Sequence, residues 1–203
     1  MTPEPERAAL IRLELRRKLF HLLILLYLGA YWLIGEPLIR PAMAAWTALI
    51  VVVEVARLKT AFVRDLIQWF FGPIIREKES GRFTGAFYSS LGITTAVFLY
   101  RGRPTAITAA LLFLAFADSS SALVGRIWGR RFYNLRGETR SLEGTAAGFA
   151  AAVICGLGAG LDLPRCLLGA LVFSAVDAAP IPPDDNFWIP VLCVGVLALA
   201  GVV

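Results

Sequence analysis

DSSSALVGRIWGRRFYNLRGETRSLEGTAAG, Asp118 to Gly148, decides how the rest of the chain is read. It begins inside an apolar segment, with an aspartate and three serines where lipid-facing residues would be expected. It breaks into a basic loop with Arg126, Arg130, Arg131, Arg136 and Arg140, and closes on Ser141, Leu142, Glu143 and Gly144 before apolar sequence resumes. A carboxylate at the mouth of a membrane, facing a group of arginines, suits a metal ion and a polyanion. A nucleoside triphosphate with Mg²⁺ would supply both. A loop that only fixes topology needs neither Asp118 nor Glu143.

Outward from this stretch, composition sets the class. Of the 203 residues 58% are hydrophobic and 17% charged, more apolar than a soluble domain. Several apolar runs approach the roughly 20 residues of a membrane-crossing helix, and backbone in lipid must be helical or buried in protein. The expected fold is all-α: a polytopic integral membrane protein of about seven transmembrane helices. The spans fall at about 19–34, 42–58, 83–100, 104–124, 145–161, 166–179 and 187–203. Residues 7–18 read as an amphipathic lead into the first span. Residues 61–75 read as an amphipathic helix at the membrane interface, because Arg64, Asp65, Gln68 and Gly72 share one face. The first apolar run lacks a small-residue cleavage pattern, so no removable signal peptide is expected. Cys155, Cys166 and Cys193 sit in apolar runs without metal-ligand spacing. No GxxxxGK[ST] loop occurs. The net charge of +5 follows from where arginines sit on a membrane, and no nucleic-acid partner is inferred from it.

The positive-inside rule is satisfied by a cytoplasmic N-terminus. All but Arg40, Arg101, Arg103 and Arg165 of the 20 Lys and Arg residues then face the cytoplasm. All but Glu36 and Asp162 of the 15 acidic residues fall on the same side. This asymmetry points to a cytoplasm-facing site acting on something held in the bilayer. A transporter would more often carry ionisable groups near the midplane.

Asp118 within an apolar segment is a functional candidate by default, and Ser121 lies one turn on. Asp184 and Asp185, behind Pro180, Pro182 and Pro183, offer two carboxylates with Asn186. They suit Mg²⁺, which takes hard oxygen ligands, or the capping of the last span. Arg17 and His21 share a helix face, with Lys18 adjacent, and phosphate contact stands beside snorkelling or packing. Glu54 and Arg57 read as an intrahelical pair. The turn REKESGR (76–82) reads as a solvated connector or a gating loop. Gly144 and Gly148 have the spacing of close helix packing. Gly125 and Gly129 share that spacing and would allow close backbone approach to phosphate.

Taken together, RRKLFH (16–21), EVARL (54–58), REKESGRFTGAFYSSLG (76–92), ADSSSALVGRIWGRR (117–131), RSLEGTAAGF (140–149) and DDNFWIP (184–190) resemble the membrane-embedded, CTP-dependent lipid kinases. That group comprises dolichol, phytol and farnesol kinases and the yeast-type diacylglycerol kinase. The central segment is also similar to the nucleotide region of CDP-diacylglycerol synthases, whose long acidic, histidine-containing C-terminal signature is absent. The resemblance implies a single membrane-embedded kinase domain over 1–203, with its nucleotide-binding segment at about 117–149. It implies that CTP donates its γ-phosphoryl group to the hydroxyl of a lipid alcohol, a polyprenol, a phytol-like prenol or diacylglycerol. Mg²⁺ would be held by Asp118 with Asp184 or Asp185. Arg126, Arg130, Arg131, Arg140, Ser121, Gly125, Gly144, Lys18 and His21 would line the nucleotide, and Asp185 or Glu143 would orient or deprotonate the hydroxyl. Glu54, Arg57, Glu79 and Arg82 would serve the lipid side. The expected location is the cell membrane of a prokaryote or the endoplasmic reticulum of a eukaryote, with a homodimer left open. The family often has lysine where this chain has Arg140, so Arg140→Lys is expected to be milder than Arg126→Lys or Arg131→Lys. A cytidylyltransferase making a CDP-activated lipid, and a lipid transporter, are the alternatives.

Overall fold

The computed structural model describes residues 4–72, 75, 79–135, 137–179 and 181–203, with side chains from Ile11 onward. Arg76 and Lys78 of the charged turn, Arg136 of the basic loop, and Pro73 and Pro180 lie outside the described residues. The chain is 77% helical. The elements in order are α1 (Glu4–His21), α2 (Ile24–Ile34), α3 (Ile39–Lys59), α4 (Ala61–Phe71), α5 (Gly85–Leu99), α6 (Pro104–Leu112), a π-helical turn (Phe113–Ala117), α7 (Asp118–Trp128), strands β1 (Phe132–Leu135) and β2 (Glu138–Ser141), α8 (Leu142–Gly158), α9 (Leu163–Ala178) and α10 (Asp185–Leu199).

Each segment expected to span contains a helix, the first interrupted at Leu22–Leu23 and the last ending at Leu199. Among the described residues, three helical stretches are long and apolar enough to cross a membrane: Ile11–Ile34, Ile39–Lys59 and Pro104–Trp128. Gly85–Leu99, Leu142–Gly158 and Asp185–Leu199 are apolar but shorter. At about 1.5 Å of rise per residue, a 15-residue helix such as α5 or α10 covers less than the roughly 30 Å hydrocarbon core. The helices pack around a dry centre of Ile93, Val97, Ile107, Leu111, Phe113, Phe173, Ile189 and Leu197, all essentially inaccessible. Large apolar side chains such as Leu33, Val52, Ile154 and Leu171 face outward. An exterior of this kind suits lipid rather than water.

The segment expected to form an interfacial helix is helical over Ala61–Phe71, and none of α4's side chains is buried. Phe62, Trp69 and Phe70 are exposed, while Phe71 meets Phe20 of α1 edge-on at 5.4 Å between ring centroids.

One correction concerns the basic loop, because the fold is not purely helical. β1 and β2 form an antiparallel hairpin with Phe132 opposite Ser141 and Tyr133 opposite Arg140. Gly137 turns it with a φ of 88°, a left-handed conformation that glycine adopts freely. The Asn134 side chain accepts a hydrogen bond from the Gly137 N–H at 3.1 Å.

Gly144 seats α8 against α7. A Cβ there would lie 2.7 Å from the Ser121 carbonyl oxygen and 3.0 Å from the Gly125 Cα. Both atoms are backbone and cannot swing away. Gly144→Ala is therefore expected to cost about 1–3 kcal/mol, the usual penalty of overpacking. Thermal unfolding in detergent should show a lower midpoint, and an unchanged midpoint would mean that the helices separate without cost.

Midway along α3 and α5, Thr47 bonds Ser90 at 2.8 Å and Thr94 at 2.7 Å, while the charged residues gather toward the two ends of the helices. One end is chemically plain: Arg103 donates to the Val202 carbonyl at 2.8 Å, and Arg165 to the Ala200 carbonyl at 3.1 Å. The other end holds the groups described next.

Candidate functional site

Four helices, α1, α7, α9 and α10, and the hairpin bring the site together. The π-turn leads directly into Asp118, which is buried at 6% exposure. Its Oδ2 accepts a short hydrogen bond from Lys18 Nζ, and His21 Nε2 approaches the same oxygen to 3.1 Å. The His21 nitrogen nevertheless has no aligned hydrogen-bond partner. Lys18 and His21 are three apart on α1 and share a face. They hold α1 against α7, a hundred residues further along the chain.

One turn beyond Asp118, Ser121 Oγ donates to Asp177 Oδ2 at 2.6 Å. Asp177 is the penultimate residue of α9 and is 1% exposed. Arg140, on β2, reaches down from the hairpin. One terminal nitrogen lies 3.2 Å from Asp177 Oδ1. The other lies 3.1 Å from Asp185 Oδ2 and 3.4 Å from Glu138 Oε2. Burial would lower the Arg140 guanidinium, but Asp177, Asp185, Asp118 and Glu138 outweigh it and hold the group above the ordinary arginine value.

The last wall is the start of α10. Asp184 caps it, accepting from the Asn186 backbone N–H at 3.0 Å. Burial, and after it the neighbouring Asp185, pushes the Asp184 carboxyl up to about 7. A Cβ on Gly85 would stand 3.2 Å from the Asn186 amide nitrogen, so the 79–85 turn closes against the same helix start. That turn hangs on Arg57, which donates to the carbonyls of Glu79 at 3.2 Å and Arg82. Arg57 is paired in turn with Glu54 through two hydrogen bonds, at 3.2 and 2.9 Å. Glu54 also accepts from the Thr84 N–H at 3.1 Å and the Thr84 hydroxyl at 3.2 Å.

The expected residues thus separate into those that converge and those that do not. Lys18, His21, Asp118, Ser121, Arg140, Asp184 and Asp185 converge. Glu54 and Arg57 form the intrahelical pair and act as a buried post beneath the turn bearing Glu79 and Arg82. Gly125 and Gly144 face each other across the α7–α8 crossing, which accounts for them by packing. Arg126 is exposed and donates to Glu14 at 3.3 Å. Arg130 and Arg131 are also exposed, and their backbone N–H groups donate to Glu143 at 3.1 and 3.2 Å. The Arg130 N–H, foremost, holds the Glu143 carboxyl below its ordinary value. Glu143 therefore fastens the loop onto the first turn of α8. Asp177 is the residue that the sequence reading passed over. Its signal was the one that exposed Asp118, a carboxylate within an apolar run.

Among the described residues no three His, Cys, Asp or Glu side chains form a ready metal site. The donor set still fits a cation that takes one or two protein carboxylates and completes its shell with phosphate oxygens and water. Asp184 and Asp185 stand side by side, and the carboxylates around Arg140 outnumber its single charge.

Fold and site together define a helical membrane protein with a charged, largely buried site at one end of its bundle. Comparison with known proteins narrows this class. The chain is 24% identical to CTP-dependent diacylglycerol kinase 1 of Schizosaccharomyces pombe, over 63% of the chain and 65% of that protein. It is 26% identical to CTP-dependent diacylglycerol kinase 1 of Saccharomyces cerevisiae, over 88% of the chain and 70% of that protein. It is 38% identical to phytol kinase of Synechocystis, over 36% of the chain and 33% of that protein. The chain thus spans from a third to about two thirds of the length of the curated relatives it matches. No family model and no solved structure matches it. These relatives support the likeness of the chain to the CTP-dependent lipid kinases.

Proposed function

We propose that the protein transfers the γ-phosphoryl group of CTP to the hydroxyl of a membrane lipid alcohol at the cytoplasmic face. The observation that carries this reading is the convergence of Lys18, Asp118, Arg140, Asp177 and Asp185 at one end of the bundle. All of them but Asp177 belong to segments that resemble the lipid kinases. In such a transfer the alcohol oxygen bonds to the γ-phosphorus. The bridging P–O bond breaks, CDP leaves with the electron pair, and the alcohol proton passes to a carboxylate or to water. Catalysis rests on alignment and charge neutralisation.

In this reading Arg140 and Lys18 receive phosphate oxygens, and Asp118 orients Lys18 toward them. Asp184 and Asp185 would hold Mg²⁺, which when bound neutralises phosphate charge. The alcohol enters sideways from the bilayer, its tail among the outward-facing apolar side chains and its hydroxyl at the charged end. The relatives' names supply two candidate lipids, diacylglycerol and phytol, and polyprenols belong in the same panel.

The test is incubation of purified protein with γ-labelled CTP, Mg²⁺ and a panel of lipid alcohols. The expected products are a labelled lipid phosphate and CDP. Release of pyrophosphate with a CDP-lipid, formed from a lipid phosphate, would instead establish the cytidylyltransferase. Absence of any phosphorylated lipid would end the kinase reading.

A further inference from the structure

Among the described residues, each of the carboxylates around the site is engaged through at least one oxygen. Asp118 is held by Lys18 and His21. Glu143 accepts two backbone N–H groups. Asp184 caps α10, and Asp185 pairs with Arg140 and accepts from the Asn186 N–H at 3.0 Å. Asp177 gives Oδ2 to Ser121. Its Oδ1 lies within ion-pair distance of Arg140, yet has no aligned hydrogen-bond partner. The Arg140 Nε–H, also buried, has none either. Ser174 Oγ, three residues before Asp177 and on the same face of α9, is a further buried polar atom without a partner. A native interior rarely leaves such atoms unsatisfied. Two of them, Asp177 Oδ1 and the Arg140 Nε–H, belong to one ion pair, and the Nε is a donor without an acceptor.

We propose that Asp177 is a positioning residue: anchored by Ser121, it sets the plane of the Arg140 guanidinium so that the exposed edge of that side chain, 20% accessible, donates to a phosphate oxygen of the nucleotide. The inference rests on the kinase reading for the identity of that nucleotide. Its geometry is independent of which lipid is phosphorylated. Three elements meet in the relay: Ser121 from α7, Asp177 from α9 and Arg140 from the hairpin. Asp185 on α10 takes the opposite terminal nitrogen. The fork is thereby gripped from two sides, and arginine recognises phosphate by the direction of its donors, where lysine acts as a point charge.

The experiment measures equilibrium binding of CTP, and in parallel of inorganic tripolyphosphate, to full-length protein in detergent with Mg²⁺. Asp177→Asn keeps the size of the side chain and removes the charge. It is expected to weaken binding of both probes by about ten-fold or more, the loss typical of a charge-assisted hydrogen bond. Arg140→Lys should weaken binding by a similar factor. The double variant should bind no worse than Arg140→Lys alone, because the two residues act through one group. Asp177→Glu should recover part of the affinity.

A purely structural role for Asp177 would lower the unfolding midpoint and leave the dissociation constant of the folded fraction unchanged, or give effects that multiply in the double variant. Either result overturns the proposal. If Asp177→Asn does not accumulate as folded protein, Ser121→Ala, which removes only the anchor of Oδ2, is read in the same way. It should weaken binding by about three-fold, and unchanged affinity there refutes the relay. If the wild type binds tripolyphosphate but not CTP, the nucleotide reading falls while the relay is still judged on tripolyphosphate. If it binds neither, both fall.

Discussion

Asp118→Asn is expected to lower turnover by at least about a hundred-fold and also to lower stability, and the two effects can be pulled apart. Asp118 and Lys18 form a buried ion pair with side chains only 8% exposed on each partner. Removing one member leaves a buried charge uncompensated, at about 3–5 kcal/mol. Replacing both members with apolar residues is often neutral or stabilising. Lys18→Met combined with Asp118→Leu should therefore restore the unfolding midpoint toward that of the wild type. If the pair only holds α1 to α7, the double variant should also recover phosphorylation of the lipid. If Lys18 and Asp118 serve the nucleotide, the double variant should be folded and inactive. Near-wild-type turnover in that variant would reduce the pair to a structural bolt.

The second large effect is expected at Arg140. The family resemblance alone makes Arg140→Lys the mildest of the arginine replacements, and the geometry reverses that order. Arg126 is exposed and meets a single carboxylate, and the backbones of Arg130 and Arg131, rather than their side chains, contact Glu143. Arg140 alone among them bridges α9 and α10 through separate nitrogens. One ammonium cannot span both in the same way. Arg140→Lys should thus cost more nucleotide affinity than Arg126→Lys or Arg131→Lys. Arg140→Ala, which strands Asp177 without its cation, should lower stability by about 3–5 kcal/mol. Nucleotide kinetics and thermal unfolding of the four variants decide the order. Equal tolerance of lysine at all three positions would return the arginines to a topological role.

The helical framework was legible because lipid imposes a simple code: apolar runs of sufficient length, broken by charge. Asp118 and the Asp184–Asp185 pair stood out against that code. Asp177 broke the same rule but sits at the last turn of its helix, where an acid passes for the edge of a loop. The hairpin was masked by its arginines, although Phe132, Tyr133 and Thr139 favour strands and Gly137 supplies a turn. The Lys18–Asp118 contact could not be read at all, since nothing in one sequence says which charges a hundred residues apart will meet. Glu54 and Arg57 were readable as a pair from their spacing, but not as the post under the 79–85 turn.

The π-turn at Phe113–Ala117 has a consequence for how such a site tolerates change. A π-turn carries one residue more than the α-helical turn it replaces, and each residue of an α-helix advances the face by about 100°. The turn therefore works as a phase shifter between two halves of one long helix. Upstream, α6 keeps the angular setting that buries Ile107 and Leu111. Downstream, α7 has a different setting, which aims Asp118 at α1 and Ser121 at α9. Deletion of a single residue here would leave length and hydropathy almost untouched. It would nonetheless rotate every downstream polar group away from its partner at once. The length of this segment is constrained by angle more tightly than by the thickness of the bilayer.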